Sequence, residues 1–317
     1  MDSTSSAGAG EIAFDSPFFR IYRDGRIDRF QGIETLPPSL DPKTGVLSKD
    51  VRFSSDPDLS VRLFLPGSSD PARKLPLLIY VHGGAFCIES PFSPIYTRHL
   101  NTVVSAAGVV AVSVQYRWAP EHLLPAAYDD AWAAVRWVAA HALGERGAGA
   151  EAEAWLRDRA DFDRVFLAGD SAGANIAQHV AARAGVEGLP GLRIAGVALL
   201  HPFFRDDGPD KLMDFIYPSS SGATDPRMNP AHDPNLRRMA GQRVIVFVAE
   251  RDHLKHRGRS YYETLKKSGW EGTVEIVETQ GEGHVFHLFK PGSDRARELV
   301  MKFASFLNQD AGARQRL

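Results

Sequence analysis

From about residue 18 the chain alternates apolar and polar side chains in two short runs, FFRIY and RIDRF, around Asp24-Gly25. Period-two alternation broken by Asp-Gly predicts a β-hairpin. Lys49–Phe53 and Ser60–Leu65 alternate again and are split by SSDPD, which predicts a second antiparallel pair. The rhythm then changes to continuous apolar runs. LPLLIYV, VVAVSVQYR, FDRVFLAGD, RIAGVALLHP, RVIVFVAERD and TVEIVETQ each read as a buried strand. Helical periodicity falls between them at about Ser93–Ala107, Pro125–Ala140, Ala172–Ala184 and His256–Lys267, with a last helix at about Arg295–Phe306. Strands alternating with helices predict an α/β fold, with a mostly parallel sheet covered on both faces. The antiparallel N-terminal strands are expected to extend that sheet at one edge. Two stretches break the alternation. GERGAGAEAEAW (144–155) predicts a surface loop or a helix extension. Residues 203–242 are too long for an ordinary connection, and insertions of that length are usually lids or caps.

Composition fits this picture and narrows it. In 317 residues, 44% hydrophobic and 24% charged side chains are enough to bury a large core in one α/β domain, here spanning 1–317. A net charge of −2 gives no basic surface for nucleic acid. No apolar run approaches the roughly 20 residues of a membrane span. The N-terminus shows neither a basic n-region nor an apolar h-region, so a cytoplasmic protein is expected. Residues 1–10, small and polar, are expected to be disordered. The single cysteine, Cys87, excludes an intramolecular disulfide and a cysteine-built zinc site. It reads as a small apolar filler rather than a reactive thiol. Without a phosphate-binding glycine motif or HExxH, no nucleotide cofactor and no metal is expected.

The chemistry concentrates at Gly169-Asp170-Ser171-Ala172-Gly173, where a predicted strand meets a predicted helix. At such a junction the serine is forced into a strained turn that lifts its Oγ off the sheet, and only small residues fit two positions to either side. In a random loop GxSxG would mean little; at this junction it marks a nucleophile. A base and an orienting acid should follow in the order Ser, acid, His. Asp252 ends the strand RVIVFVAE, and His284 sits in the glycine-flanked turn after TVEIVETQ. Both emerge at strand carboxyl ends, where open α/β sheets place their sites. Ser171, Asp252 and His284 are therefore the predicted triad, preferred over the nearby Glu250 and His287. Asp170 is expected to support the turn. His82-Gly83-Gly84-Ala85 follows the strand LPLLIYV, and its bare N–H groups, with that of Ala172, can form an oxyanion hole. His82 reads as structuring this loop. Phe14, Phe18, Phe19, Ile21 and Tyr22 form an aromatic-rich patch that is either edge-strand core or part of a lid.

With HGGAF at 82–86, GDSAGAN at 169–175, RDHLKHRG from 251 and GHVFH from 283, the chain resembles the hormone-sensitive-lipase-like branch of the α/β-hydrolases. Within that branch it is most similar to the plant carboxylesterases. YRWAPEHLLPAAYDDAWAAVRWV at 116–138 and DPRMNP at 225–230 are also family-like, and the resemblance covers about 15–310. It implies hydrolysis of a small-molecule ester through an acyl-serine, with Gly83, Gly84 and Ala172 as oxyanion donors. It also implies a cap built from the N-terminal segment (1–45) and the insertion (203–242), which precedes the seventh strand of the main sheet. Ala85 stands where much of the branch has a third glycine, and would narrow the acyl pocket slightly. Gibberellin receptors share the scaffold but lack the catalytic histidine, whereas His284 is present here. The 2-hydroxyisoflavanone dehydratases and tuliposide-converting enzymes use the same site for elimination and transesterification.

Overall fold

The computed structural model describes residues 10–67, 70, 73–144 and 153–309. Three short strands open the chain: β1 (Ile12–Asp15), β2 (Phe19–Tyr22) and β3 (Ile27–Arg29), paired antiparallel in the order β1-β2-β3. The main sheet has eight strands: β4 (Leu47–Ser55), β5 (Asp58–Leu65), β6 (Leu75–Val81), β7 (Val110–Val114), β8 (Ala160–Asp170), β9 (Ile194–Leu200), β10 (Arg243–Ala249) and β11 (Thr273–Thr279). Their order is β11-β10-β9-β8-β6-β7-β5-β4. Pairing is parallel from β11 to β7 and antiparallel at β7-β5 and β5-β4.

The helices are α1 (Pro94–Ala107), α2 (Ala126–Ala142), α3 (Ala154–Arg159), α4 (Ala172–Glu187), α5 (Lys211–Ile216), α6 (Lys255–Lys267), α7 (Phe286–Phe289) and α8 (Asp294–Asn308). Local chemistry sets their ends. Pro94 opens α1, where its missing N–H costs nothing, and Gly108 closes it at φ 63°. Ser293 caps α8 by accepting the N–H of Ala296 at 3.1 Å.

β6 is buried at every position, which explains its unbroken apolar run. Its side chains divide between two cores. Leu75, Leu77, Ile79 and Val81 join the core under α2 and α4, while Leu78 and Tyr80 join the one under α1 and α8. Cys87 lies in the first core, where burial pushes its thiol up to about 12.

One expectation changes. The β4–β5 pair does extend the main sheet, but the first hairpin does not: with β1 it forms a sheet of its own. The reason is what it docks on. Phe14 stacks on Phe215 of α5 with ring centroids 3.9 Å apart, and Arg29 reaches the carbonyls of Cys87 and Ala119. These contacts hold the small sheet against loops and the insertion rather than beside β4. The aromatic patch thus serves twice, with Phe19 fully buried in the core and Phe14 against the insertion. The insertion is not a bare loop, since it contains α5 and 3-10 turns at Gly222–Thr224, Pro230–His232 and Leu236–Arg238. Residues 1–9 and 145–152, which carry two of the sequence expectations, lie outside the described residues; Ala154 and Trp155 begin α3.

Candidate active site

Ser171 sits between the end of β8 and the start of α4 with φ 52° and ψ −119°, a conformation that only a fixed environment holds in a non-glycine residue. Its N–H donates to the Leu200 carbonyl at 2.9 Å, and its own carbonyl accepts from the Phe203 N–H at 3.0 Å. The flanking glycines are obligatory. A Cβ on Gly169 would lie 2.4 Å from the Gly173 carbonyl oxygen, and one on Gly173 would lie 2.1 Å from that of Val81.

The three predicted triad residues come together. His284 Nε2 lies 3.0 Å from Ser171 Oγ, and Nδ1 lies 2.8 Å from Asp252 Oδ2. Asp252 Oδ1 accepts the Leu254 N–H at 2.8 Å. Burial raises the Asp252 pKa, but the hydrogen bond and charge of His284 and the Leu254 N–H outweigh it and hold the group below its ordinary value. The carboxylate therefore only accepts, so Nδ1 carries the imidazole proton and Nε2 is the bare base facing the hydroxyl. The rivals have other work. Glu250 accepts the Gly281 N–H at 2.7 Å and holds the turn before His284. His287 is buried beside His99 and His201, and burial pushes its pKa well down.

The loop after β6 departs from expectation at one donor. The Gly83 N–H is committed inward: it donates to Tyr96 Oη at 2.8 Å and toward Asp170 Oδ1 at 3.2 Å. It is therefore not available to an oxyanion. Among the described residues, the N–H groups of Gly84, Ala85 and Ala172 have no hydrogen-bond partner. Ala172 is the first residue of α4, whose N–H has no partner within the helix. Ala85 adopts φ 53°, the left-handed region that glycine occupies without strain.

Asp170 supports the turn as expected. It accepts the hydroxyls of Tyr80 and Tyr96, each at 2.8 Å, and burial pushes its pKa up to about 6 against the lowering pull of those bonds. His82 stacks on Tyr116 with centroids 4.2 Å apart, and its Nδ1–H donates to the Gly83 carbonyl at 2.7 Å. Burial lowers its pKa to about 3, which keeps it neutral. Asn175, quoted in the motif but given no role, ties α4 to the insertion. It accepts the Tyr128 hydroxyl at 2.6 Å and donates to the Arg227 carbonyl at 2.9 Å. Among the described residues no group of three or more His, Cys, Asp or Glu side chains is arranged to hold a metal ion, and no helix is long and apolar enough to cross a membrane.

An eight-stranded sheet with a serine at the β8–α4 turn, an acid after β10 and a histidine after β11 is the arrangement of an α/β-hydrolase. Residues 78–288 match the family described as alpha/beta hydrolase fold, and the chain belongs to it. The chain is 42% identical to the 2-hydroxyisoflavanone dehydratase of Glycyrrhiza echinata, over 96% of this chain and 99% of that protein. It is also 42% identical to an Arabidopsis thaliana protein named Probable carboxylesterase 2, over 98% and 99%, and 45% identical to Probable carboxylesterase 5, over 92% and 96%. Among solved structures, the hyperthermophilic esterase of Pyrobaculum calidifontis superposes with a TM-score of 0.67 at 26% identity, covering 82% of each chain.

Proposed function

We propose that this chain is a serine carboxylesterase. The observation that carries the reading is the unbroken line from Ser171 Oγ through His284 to Asp252, with contacts of 3.0 and 2.8 Å. Ser171 attacks the ester carbonyl while His284 Nε2 takes its proton, and Asp252 stabilises the imidazolium that forms. The tetrahedral oxyanion is met by the N–H groups of Gly84 and Ala172, with Ala85 in place of Gly83. His284 then protonates the departing alcohol, and water, deprotonated by the same base, releases the acyl group from Ser171.

The substrate class is a short-acyl ester of a small hydrophobic alcohol or phenol. Supporting it, the N-terminal sheet and the insertion meet through Phe14 and Phe215, as two halves of a cap would, and Phe203 follows closely after the strand end that binds Ser171. A lone buried thiol suits a reducing compartment such as the cytoplasm. Hydrolysis of p-nitrophenyl acetate, butyrate and octanoate by the wild type, Ser171→Ala and His284→Ala tests the reading. The wild type should turn over and each variant should lose about 10³-fold or more in kcat. Equal, negligible rates in all three would defeat it and favour a ligand-binding role for the scaffold.

A second reading, elimination, is favoured by the dehydratase relative, which is as similar to this chain as Probable carboxylesterase 2 is. In that case His284 would take a proton from carbon rather than from Ser171. Product analysis with a β-hydroxy ketone separates the two readings: elimination yields an unsaturated ketone and water, with no acid released.

A further inference from the structure

The seam between the N-terminal sheet and the loop after β6 is closed by one side chain. Arg29, the last residue of β3, leaves only 10% of its side chain exposed. Its Nε donates to the Cys87 carbonyl at 2.8 Å, Nη2 to the Ala119 carbonyl at 3.1 Å, and Nη1 to Glu121 Oε1 at 2.7 Å. Its guanidinium carbon lies 5.0 Å from the centre of the Trp118 ring. A planar guanidinium can serve several acceptors at once in a fixed fork, which an ammonium cannot.

The two carbonyls belong to one clamp. The Ala119 N–H donates to the Phe86 carbonyl at 3.0 Å, so Arg29 bonds both sides of the contact that fastens the loop. The loop needs fastening. Ala85, Phe86 and Glu89 have φ of 53°, 65° and 68°, and left-handed backbone costs a non-glycine residue about 1 kcal/mol or more unless its surroundings fix it. The internal bonds from the N–H groups of Cys87 and Ile88 to the Gly84 carbonyl shape the loop but do not locate it against Ser171. Between Ala85 and Glu89, backbone groups are held from outside by Ala119, by Arg29, and by the Gly32 carbonyl, which accepts the Glu89 N–H at 2.8 Å. Two of these three holds come from the N-terminal segment. Gly32 has φ 72°, and a Cβ there would lie 3.0 Å from the Glu89 backbone N, so a side chain at this position would strain the seam.

We infer that Arg29 is a positioning residue for the reaction: by holding the Cys87 and Ala119 carbonyls it makes the direction of the Gly84 and Ala85 N–H groups depend on the seating of the N-terminal sheet. The kinetic consequence rests on the serine-esterase reading, whereas the geometric one does not. Misplacing a catalytic group by about 1 Å costs about 10²-fold in rate, so a loop released at this seam should lose turnover before it loses substrate binding.

The test uses the full chain with Arg29→Ala, Arg29→Lys and Gly32→Ala. It reads kcat and KM for p-nitrophenyl acetate, and amide hydrogen exchange over 82–90. Arg29→Ala should lower kcat about 30-fold or more with KM within about threefold. Arg29→Lys should fall in between, because one ammonium cannot bond both carbonyls in the fork geometry. Exchange over 83–89 should quicken about tenfold while α4 is unchanged. Added methylguanidine should restore part of the Arg29→Ala turnover and leave Gly32→Ala unrepaired, a response that mere loss of stability would not give. The inference is overturned if Arg29→Ala and Arg29→Lys keep kcat within about twofold while exchange in β1–β3 rises. If Arg29→Ala does not fold, Arg29→Lys and Gly32→Ala carry the same comparison. If the wild type turns over no ester, the esterase reading fails by itself. The exchange data then decide alone: faster loop exchange in the variants upholds the positioning role, and equal exchange overturns it.

Discussion

The Tyr96 hydroxyl accepts the Gly83 N–H at 2.8 Å and donates to Asp170 Oδ2 at the same distance. This relationship occupies the Gly83 N–H and leaves those of Gly84 and Ala85 to serve the proposed oxyanion hole. It also gives Gly83 a reason to be glycine that is unconnected with donating, since a Cβ there would lie 2.5 Å from Asp170 Oδ2 and 3.0 Å from the Tyr96 hydroxyl. The first glycine makes room, and the next two residues present N–H groups.

Tyr96→Phe leaves the Gly83 N–H with only its longer contact to Asp170 and removes one hydroxyl from a buried carboxylate. Losing partners of buried polar groups costs about 1–3 kcal/mol, so a loss of that size is expected in urea unfolding at neutral pH. Unchanged stability would show that the Tyr96 bond is not the one that occupies Gly83.

Asp252→Asn should be almost silent in stability and severe in rate. Its amide oxygen can still accept the Leu254 N–H, but its NH2 then faces His284 Nδ1 and obliges the ring to carry its proton on Nε2. That tautomer has no lone pair for the Ser171 hydroxyl. A fall of about 10³–10⁴-fold in kcat, with Tm within about 3 °C, is expected from steady-state kinetics beside a thermal melt.

Gly173→Ala tests the turn itself. The added methyl would meet the carbonyl oxygens of Val81 and His82 at 2.1 and 2.4 Å, both backbone atoms that cannot swing aside. Destabilisation of about 3 kcal/mol or more is expected by chemical denaturation, together with loss of activity. A folded, active Gly173→Ala would mean that the β6 loop yields far more readily than its packing indicates.

Acid should unfold this protein through its imidazoles. Burial holds His82 and His201 at about 3 and His99 and His179 at about 4, against 6.5 for a free imidazole. The native pKa values are depressed, so below pH 6.5 the unfolded chain binds more protons than the native one. The stability these histidines contribute is complete above pH 6.5 and is lost as pH falls toward 4. Asp170, raised to about 6, and Glu89, also raised by burial, act in the opposite sense, but they are two carboxyls against five imidazoles once His287, pushed well down by burial, is included. Tm should therefore drop by about 10 °C or more between pH 6.5 and 4.5. A flat Tm across that window would show that the buried imidazoles are not held neutral.

The site was legible because its requirements are local. Gly169 and Gly173 flank Ser171 within one five-residue motif, and Asp252 and His284 each lie in the turn after a strand whose apolar run is plain in the sequence. The commitment of Gly83 was not legible: Tyr96 lies thirteen residues away on α1, and nothing about a tyrosine in a helix announces which N–H its hydroxyl will meet. The separate N-terminal sheet escaped for a related reason. Alternation around Asp24-Gly25 predicts a hairpin, but not that Phe14 will find Phe215 some two hundred residues later. Arg29 carried no signal at all, since an arginine at the end of a short polar strand ordinarily points to water.

Cys87, the only cysteine, is fully buried, and burial pushes its thiol pKa up to about 12. Thiol reagents therefore meet no competing nucleophilic sulfur on the native molecule. A cysteine introduced on the exposed face of β1 would react alone, so a fluorophore there could report the N-terminal sheet lifting from the insertion without any native residue being removed first.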